Sequence, residues 1–340
     1  MSRISIGVFG AGAIGTYVGV RLSAAGYPVT LVGRPALVHA AGQLRAVDLD
    51  GTEIRPNSDI AVVTDAGALA SCQICLVTVK SGDSQRAGAA LAPVLDGDAT
   101  VISLQNGLGN VERLRRGGLP QAALAGLVTF NVRRVATARF VKATDGPIMI
   151  EGASAPCAVE ARDALAATGE PVLLRDDLLA VQATKLLLNL NNGLCAVTGL
   201  PIRESIRSRD LRWCFSACIR EGMSVMRAAG LQLARIGRLS PPLIARLLLL
   251  PNVAFERLAG SFMRIDPAAR SSTLQDLDVG KQTEIDFLNG AIVLLGQQVG
   301  VATPANQFVV DQVHRLEASE KRPLPFLSPA MVRASMTRAG

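Results

Sequence analysis

Histidine is nearly absent from this chain of 340 residues: only His39 and His314 occur. Neither lies among other chemistry-bearing residues, so acid–base catalysis centred on histidine is not expected. Aromatic residues make up 4%, too few for the stacking platforms that hold single-stranded nucleic acid. The net charge is +7, but the basic residues are scattered, as at Arg113, Arg115, Arg116 and Arg203, Arg207, Arg209. That argues against a nucleic acid partner and leaves the steering of small anions as a use for the charge. Long apolar runs are missing too. The run 243–250 is short and broken by Arg246, so no membrane span or membrane partner is expected. The opening residues lack the basic leader and compact apolar core of a signal peptide, and a soluble cytoplasmic protein is the simplest expectation. Of the six cysteines, Cys72 and Cys75 sit in a strand-like run, while Cys214 and Cys218 are one helical turn apart. Their neighbours are apolar and lack the turn residues that surround zinc ligands. Buried free thiols and no metal are expected.

Against these absences stands one dense signal at the start. Residues 3–9 alternate apolar and small residues, as a short buried strand does. Gly10, Ala11, Gly12, Ala13, Ile14 and Gly15 follow at once. Ile14, Val18 and Leu22 then recur every fourth residue, so a helix begins inside the glycine run. Gly26 and Pro28 end it, and 29–32 is a second strand. In this strand–turn–helix–strand order the first glycine permits the tight turn. The second lets backbone amides approach a pyrophosphate, and the third lets helix and strand pack closely. The helix N-terminus adds partial positive charge.

The tip of the second strand selects the cofactor. An NAD site usually has a carboxylate there to bond the ribose 2′-OH. Here Gly33-Arg34-Pro35 occupies the tip, and no Asp or Glu lies between Gly26 and Asp48. A guanidinium at this place suits a 2′-phosphate, so NADPH is expected.

The length allows two domains. Residues 1–175 alternate strands with helices or loops, as a Rossmann-type doubly wound parallel sheet does. Strands are expected at 72–79, 98–104 and 124–130, with an antiparallel excursion over 130–141 and 147–150. Lys80 and Asn106 fall at the carboxyl ends of strands, where ligands of open α/β sheets bind. Residues 176–318 read as an all-helical C-terminal domain, with long helices at 178–194, 203–229 and 273–299. Residues 319–340 read as a loosely packed tail. In the helical half Lys185, Asn189 and Asn192 share one face of a leucine-rich helix. A lysine flanked by apolar surface can have a lowered pKa and move protons; a polar face packing on another domain is the plainer alternative. Ser272 with Gln275 fits a capping box, and a serine at a helix start can also receive a carboxylate. Glu284 is placed further along the same helix. Asp286 and Gly290 suggest close packing.

Taken together, these stretches resemble the ketopantoate reductase (2-dehydropantoate 2-reductase) family over roughly residues 1–315. The resemblance rests on GAGAIG at 10–15, VTVKSGD around Lys80, LQNGLGN around Asn106 and TKLLLNLNNG around Lys185. It rests most on SSTLQDLDVGKQTEIDFLNGAIV from Ser271, followed by ATPAN at 302–306. It implies a Rossmann domain joined to a helical domain, with the active site in the cleft, and NADPH-dependent reduction of ketopantoate to (R)-pantoate for pantothenate synthesis. It implies Lys185 as general acid and Asn106 at the nicotinamide end, also touching substrate. Asn189, Asn192 and Ser272 would bind substrate, Glu284 would stand near cofactor and lysine, and Arg34 and Lys80 would contact the phosphates. A homodimer is left open. The sequence departs from the family at Cys195, where related sequences often carry a polar group. It also departs at 199–202, which offers no side-chain amide, and Asn192 matches only if the helix is one residue shorter. These departures leave reductase chemistry intact and open the choice of 2-oxo acid. An opine-type dehydrogenase would need a well-placed histidine, and a non-catalytic NADPH sensor would not need Lys185, Ser272 and Glu284 together.

Overall fold

The computed structural model describes residues 3–57, 60–119, 123–152, 155–235, 239–258, 269–321 and 323–339. The chain falls into two compact units, Met1–Leu178 and Leu179–Gly340.

The first unit runs β1 (Ile6–Phe9), α1 (Ala13–Ala24), β2 (Val29–Val32), α2 (Pro35–His39), β3 (Arg45–Val47), β4 (Glu53–Ile54) and β5 (Ala61–Val63). It continues with β6 (Ile74–Val77), α3 (Ser84–Leu91), β7 (Thr100–Ser103), α4 (Asn110–Arg116) and β8 (Ala123–Val128). It ends with β9 (Val132–Ala136), β10 (Arg139–Lys142), β11 (Ile148–Glu151), α5 (Pro156–Ala166) and β12 (Val172–Arg175). Among the described residues these strands form an eight-stranded sheet, β12-β11-β8-β7-β6-β1-β2-β5, and a four-stranded one, β4-β3-β10-β9. The large sheet is parallel except that β11 runs against β8. β6 and β7 are buried along their whole length, as strands covered on both faces must be. Successive strands leave β1 in opposite directions, through β2 on one side and β6 on the other. The carboxyl ends of β1, β2 and β6 therefore surround a topological switch point, where such sheets bind ligands. The small sheet rests on strands of two or three residues in β3 and β4, too short to show a period in the sequence.

A buried charged cluster ties the small sheet to α1. Arg21 Nη1 donates to Asp48 Oδ2 at 2.7 Å and to the Tyr17 hydroxyl at 2.7 Å, and its remaining donors reach Thr168 O. Lys142 Nζ donates to Glu170 Oε2 at 2.7 Å, and Tyr17 donates to Glu170 Oε1 at 3.0 Å. Burial pushes the Tyr17 phenol well above its ordinary range. Despite its own partial burial, the hydrogen bond from Arg21 leaves the Asp48 carboxyl below the usual value.

The second unit carries helices and no strand among the described residues. They are α6 (Leu178–Asn189, its first residue at the unit boundary), α7 (Asn191–Thr198), α8 (Ile202–Arg207), α9 (Arg209–Ala228) and α10 (Pro241–Leu247). After these come α11 (Asn252–Leu258), α12 (Ser272–Asp278), α13 (Asn289–Val299), α14 (Pro304–Glu317) and α15 (Pro329–Ala339). Each of the three long helices expected from the sequence is interrupted. The first breaks at Leu190. The second breaks at Ser208, whose ψ of 118° leaves the helical region and whose Oγ caps α9 at Leu211 N, 3.4 Å away. The third stops at Asp278: Gly280 takes φ +64°, and Lys281 N bonds back to Asp276 O at 2.8 Å, closing the helix in the manner of a glycine C-cap.

The expected loose tail is instead a docked helix. Val332 and Met336 of α15 are buried, and Arg333 Nη1 lies 2.7 Å from Asp210 Oδ1 of α9. Phe326 packs on Gly199, where φ is +68° and an added Cβ would meet the ring at 2.7 Å. α9 also carries Arg212, buried with five N–H donors engaged. Nε donates to Leu248 O at 3.1 Å, Nη1 to Ile206 O at 3.1 Å and Arg207 O at 2.9 Å. Nη2 donates to Leu250 O at 3.0 Å and Asn252 Oδ1 at 2.8 Å, and the guanidinium lies 4.3 Å from the Phe255 ring centre. No helix of the described residues is long and apolar enough to cross a membrane.

Candidate active site

The glycine turn is built from β1, α1 and the end of β2. Gly10 N and Ala11 N donate to Val32 O at 3.1 and 2.8 Å, and Thr78 Oγ1 donates to Gly10 O at 2.7 Å. Gly10 has φ +105°, and a Cβ there would meet Val79 N at 2.7 Å. A Cβ at Gly15 would strike Thr78 Oγ1 and, at 2.7 Å, Gly10 O. The chain's own packing thus requires both glycines. Gly12 differs: its Cβ would meet nothing nearer than Gly10 O at 3.9 Å. The space beside Gly12 is open, and no side chain caps α1. The amides of Ala13, Ile14 and Gly15 at this helix start suit a pyrophosphate, so a dinucleotide fits the turn. Gly33 is a further requirement that the sequence reading passed over, since its Cβ would lie 2.9 Å from that of Ala11. Arg34 follows at the β2 tip, exposed, with Pro35 opening α2 behind it.

Lys80 and Asn106 end the loops after β6 and β7, and a polar network holds those loops together. Ser81 Oγ donates to Asn106 O at 2.9 Å, and Asn110 Nδ2 donates to the same oxygen at 2.7 Å. Gln105, buried, donates to Val79 O at 3.0 Å and Ser84 Oγ at 2.8 Å, and accepts from Ser103 Oγ at 2.9 Å. Lys80 is partly exposed and Asn106 exposed. Gln105, Ser84 and Asn110 escaped the sequence reading because buried polar residues just past a strand or at a helix start look like ordinary loop and cap composition. Arg34 stands apart from this pair, at the tip of a strand on the other side of β1.

In the second unit Lys185 and Asn189 lie one turn apart on α6, both partly exposed, while Leu186, Leu187 and Leu190 are buried behind them. Burial pulls the Lys185 ammonium from its ordinary 10.5 to about 8, the direction desolvation imposes on a cation. Asn192 lies in the first turn of the next helix, α7, rather than continuing α6, and its Nδ2 lies 3.5 Å from Ser272 Oγ. Ser272 is not the helix cap expected. Ser271 holds that position and accepts from Leu274 N at 3.2 Å, while Gln275 Nε2 turns to Arg270 O at 2.8 Å. Ser272 is the first helical residue and is exposed.

Glu284 does not share the helix of Ser272. It precedes a short 3₁₀ turn, Ile285–Phe287, which α14 clamps. Thr283 N donates to Glu317 Oε1 at 2.7 Å, and His314 Nε2 lies 2.9 Å from Asp286 Oδ1. Asp286, expected in close packing, is exposed. Ile285 reaches α7, where a Cβ on Gly193 would sit 3.0 Å from it, and this contact brings the Glu284 turn beside the helix of Asn192.

The described cysteines are free, and all but Cys157 are buried. Burial raises Cys72 to about 11 and Cys195 and Cys214 to about 12, with Cys75 and Cys218 also pushed up. Such thiols stay protonated and unreactive at neutral pH. Among the described residues no group of three or more His, Cys, Asp and Glu is placed to hold a metal ion.

Two family profiles match this chain: "Ketopantoate reductase PanE/ApbA" over residues 6–154 and "Ketopantoate reductase PanE/ApbA C terminal" over residues 177–317. The chain belongs to the PanE/ApbA ketopantoate reductase family. A crystal structure of a family member from Ralstonia eutropha JMP134 is 32% identical, with a TM-score of 0.79 over 92% of this chain and 98% of that one. The 2-dehydropantoate 2-reductase of Archaeoglobus fulgidus is 29% identical over 92% of this chain and 97% of its own length. A D-mandelate dehydrogenase solved with NADH and anilino(oxo)acetate, 21% identical with a TM-score of 0.76, shares the fold. The chain is thus an oxidoreductase of the PanE/ApbA family, which acts on small 2-oxo acids with a nicotinamide dinucleotide.

Proposed function

We propose that this protein is a cytoplasmic reductase that converts 2-oxo acids to 2-hydroxy acids with NADPH. The observation that carries the reading is the place of Lys185, one turn from Asn189 on a helix whose Leu186, Leu187 and Leu190 are buried behind it, with burial lowering its ammonium to about 8. NADPH, when bound, supplies the hydride for C2 of the substrate. Lys185 delivers a proton to the carbonyl oxygen as the C=O π bond breaks, and its charge offsets the negative charge that gathers there. Asn189, Asn192 and Ser272 hold the carboxylate and neighbouring oxygens of the substrate. Asn106 serves the reacting end of both ligands. Glu284 orients Lys185 and contacts the cofactor, the amides of 10–15 hold the pyrophosphate, and Arg34 and Lys80 bind phosphate.

Ketopantoate, reduced to (R)-pantoate on the way to pantothenate, is the substrate that the names of the relatives support. A paralogue acting on another 2-oxo acid is the second reading, favoured by Cys195, which is buried where related sequences often carry a polar group. Turnover of a panel of 2-oxo acids with NADPH, followed by loss of NADPH absorbance, tests the assignment. Reduction of at least one supports the reductase, and no reduction of any overturns it.

A further inference from the structure

Beside the stripe of Lys185 and Asn189 lies an apolar pocket in the second unit. Of the leucines at 186, 187, 188 and 190, Leu188 alone is not buried. Three residues after Lys185, it flanks the polar stripe, about 60° around the helix from the lysine. Leu188 forms one wall of the pocket, Ile206 and Phe215 line it from α8 and α9, and Leu247, Leu248 and Phe255 close it from α10 and α11. Among the described residues the lining carries no polar side chain.

The pocket is a built feature rather than a packing gap between loose helices. Arg212 donates to the main chain at Ile206, Leu248 and Leu250, and stacks on Phe255. One buried cation therefore fixes α8, the end of α10 and the start of α11 at once. Such a cation is expensive to bury unless every donor is satisfied, and all five are.

Resting on the reductase reading above, we propose that this pocket receives the carbon side chain of the 2-oxo acid and selects hydrocarbon side chains over hydroxylated ones. A substrate whose carboxylate and oxo group meet Asn189 and Lys185 has its side chain left to place, and the flanking surface that Leu188 opens is apolar. A site built to bond a substrate hydroxyl rejects the analogue lacking it by about four to five powers of ten, whereas an apolar pocket leaves a buried hydroxyl unpaired, at a loss of about tenfold or more. Ketopantoate carries one hydroxyl at C4, and 3,3-dimethyl-2-oxobutanoate is the same molecule without it.

The test compares kcat/KM of the full-length enzyme with NADPH for these two acids. The deoxy acid is expected to be preferred by about tenfold. A preference for ketopantoate overturns the proposal and leaves the reductase reading standing, whereas no reduction of either acid or of a wider panel overturns both. The partly exposed Leu247 at the rim locates the effect. Leu247→Gln gives the hydroxyl a partner and should move the ratio toward ketopantoate by about tenfold. An unchanged ratio shows that the side chain lies elsewhere and overturns the assignment. Leu188→Gln repeats this measurement from the opposite wall, should the first variant fold poorly.

Discussion

In the first unit a single methyl group added at Gly15 would strike Thr78 Oγ1 and Gly10 O. In the second, Lys185, Asn189 and Asn192 project from helices that alanine would also form. The proposed dinucleotide site is thus a matter of main-chain shape, and the proposed substrate site a matter of which side chains stand on a stripe. The first has no room for an added carbon at Gly10 and Gly15, and on the proposed reading it meets only the pyrophosphate that all dinucleotides share. On the proposed function the second can lose a side chain without losing its fold, and with it lose the reaction.

The largest effect that would break this contrast is at Lys185. Lys185→Ala should lower turnover by about two to four powers of ten, with NADPH affinity and melting little changed. Near-normal turnover would remove it from the mechanism. With Lys185 as the proposed proton donor, kcat in the wild type should fall as pH rises past about 8, the region to which burial lowers its ammonium. A flat profile through that region would separate Lys185 from the proton transfer.

In the first unit the proposed choice between the two dinucleotides rests on the side chain of Arg34. A charge-assisted bond to a phosphate is worth about 1.5–3 kcal/mol, roughly tenfold to a hundredfold in affinity. Arg34→Ala should weaken NADPH binding by that order and spare NADH, and raised salt should erode the wild-type preference. The measurement is the ratio of kcat/KM for the two cofactors. A wild type that prefers NADH, or a ratio that Arg34→Ala leaves unmoved, defeats the argument from the strand tip.

Neighbouring serines sharpen the contrast within one helix start. Ser271→Ala should cost about 1 kcal/mol of stability through the lost cap. Ser272→Ala should leave melting near wild type and raise the KM for the 2-oxo acid more than that for NADPH. Exchange of these outcomes would reverse the assignment of cap and ligand.

The smallest effect concerns acid. Asp48 has a folded pKa below its ordinary 3.8. Its contribution to stability is therefore present above that value and lost as pH falls through the folded one. Melting followed down to strongly acidic pH should show a steeper fall below about pH 4 in wild type than in Asp48→Asn. Parallel curves would mean that Arg21 gains nothing from its carboxylate.

Much of the first unit was legible because its signals are local. Strand, glycine turn, helix and strand at 3–32 each carry their own period or breaker, and β2 falls where the pattern puts it. In the second unit the helical placement of Lys185 and Asn189, one turn apart on α6, was legible too. The interruptions themselves were not. Leu190 and Ser208 are compatible with helix, and the stop at Asp278 depends on Gly280 entering the left-handed region, which a glycine permits but does not announce. Ser271 rather than Ser272 became the cap because two adjacent serines offer the same chemistry and one residue of register decides between them. The docking of α15 depends on a partner surface on α9 more than a hundred residues away, which no local pattern records.

Arg212 has a consequence for how this protein can change. It grips the main chain at positions 206, 207, 248 and 250 through carbonyl oxygens, and a carbonyl is the same whatever side chain hangs beside it. Mutations can therefore drift through Ile206, Leu247 or Leu248 and reshape the space they enclose while the frame stays put. The lysine stripe next to it is untouched by such drift. On the proposed reading, a lineage of reductases exchanges one 2-oxo acid for another through single wall substitutions, without rebuilding the residues assigned to proton transfer.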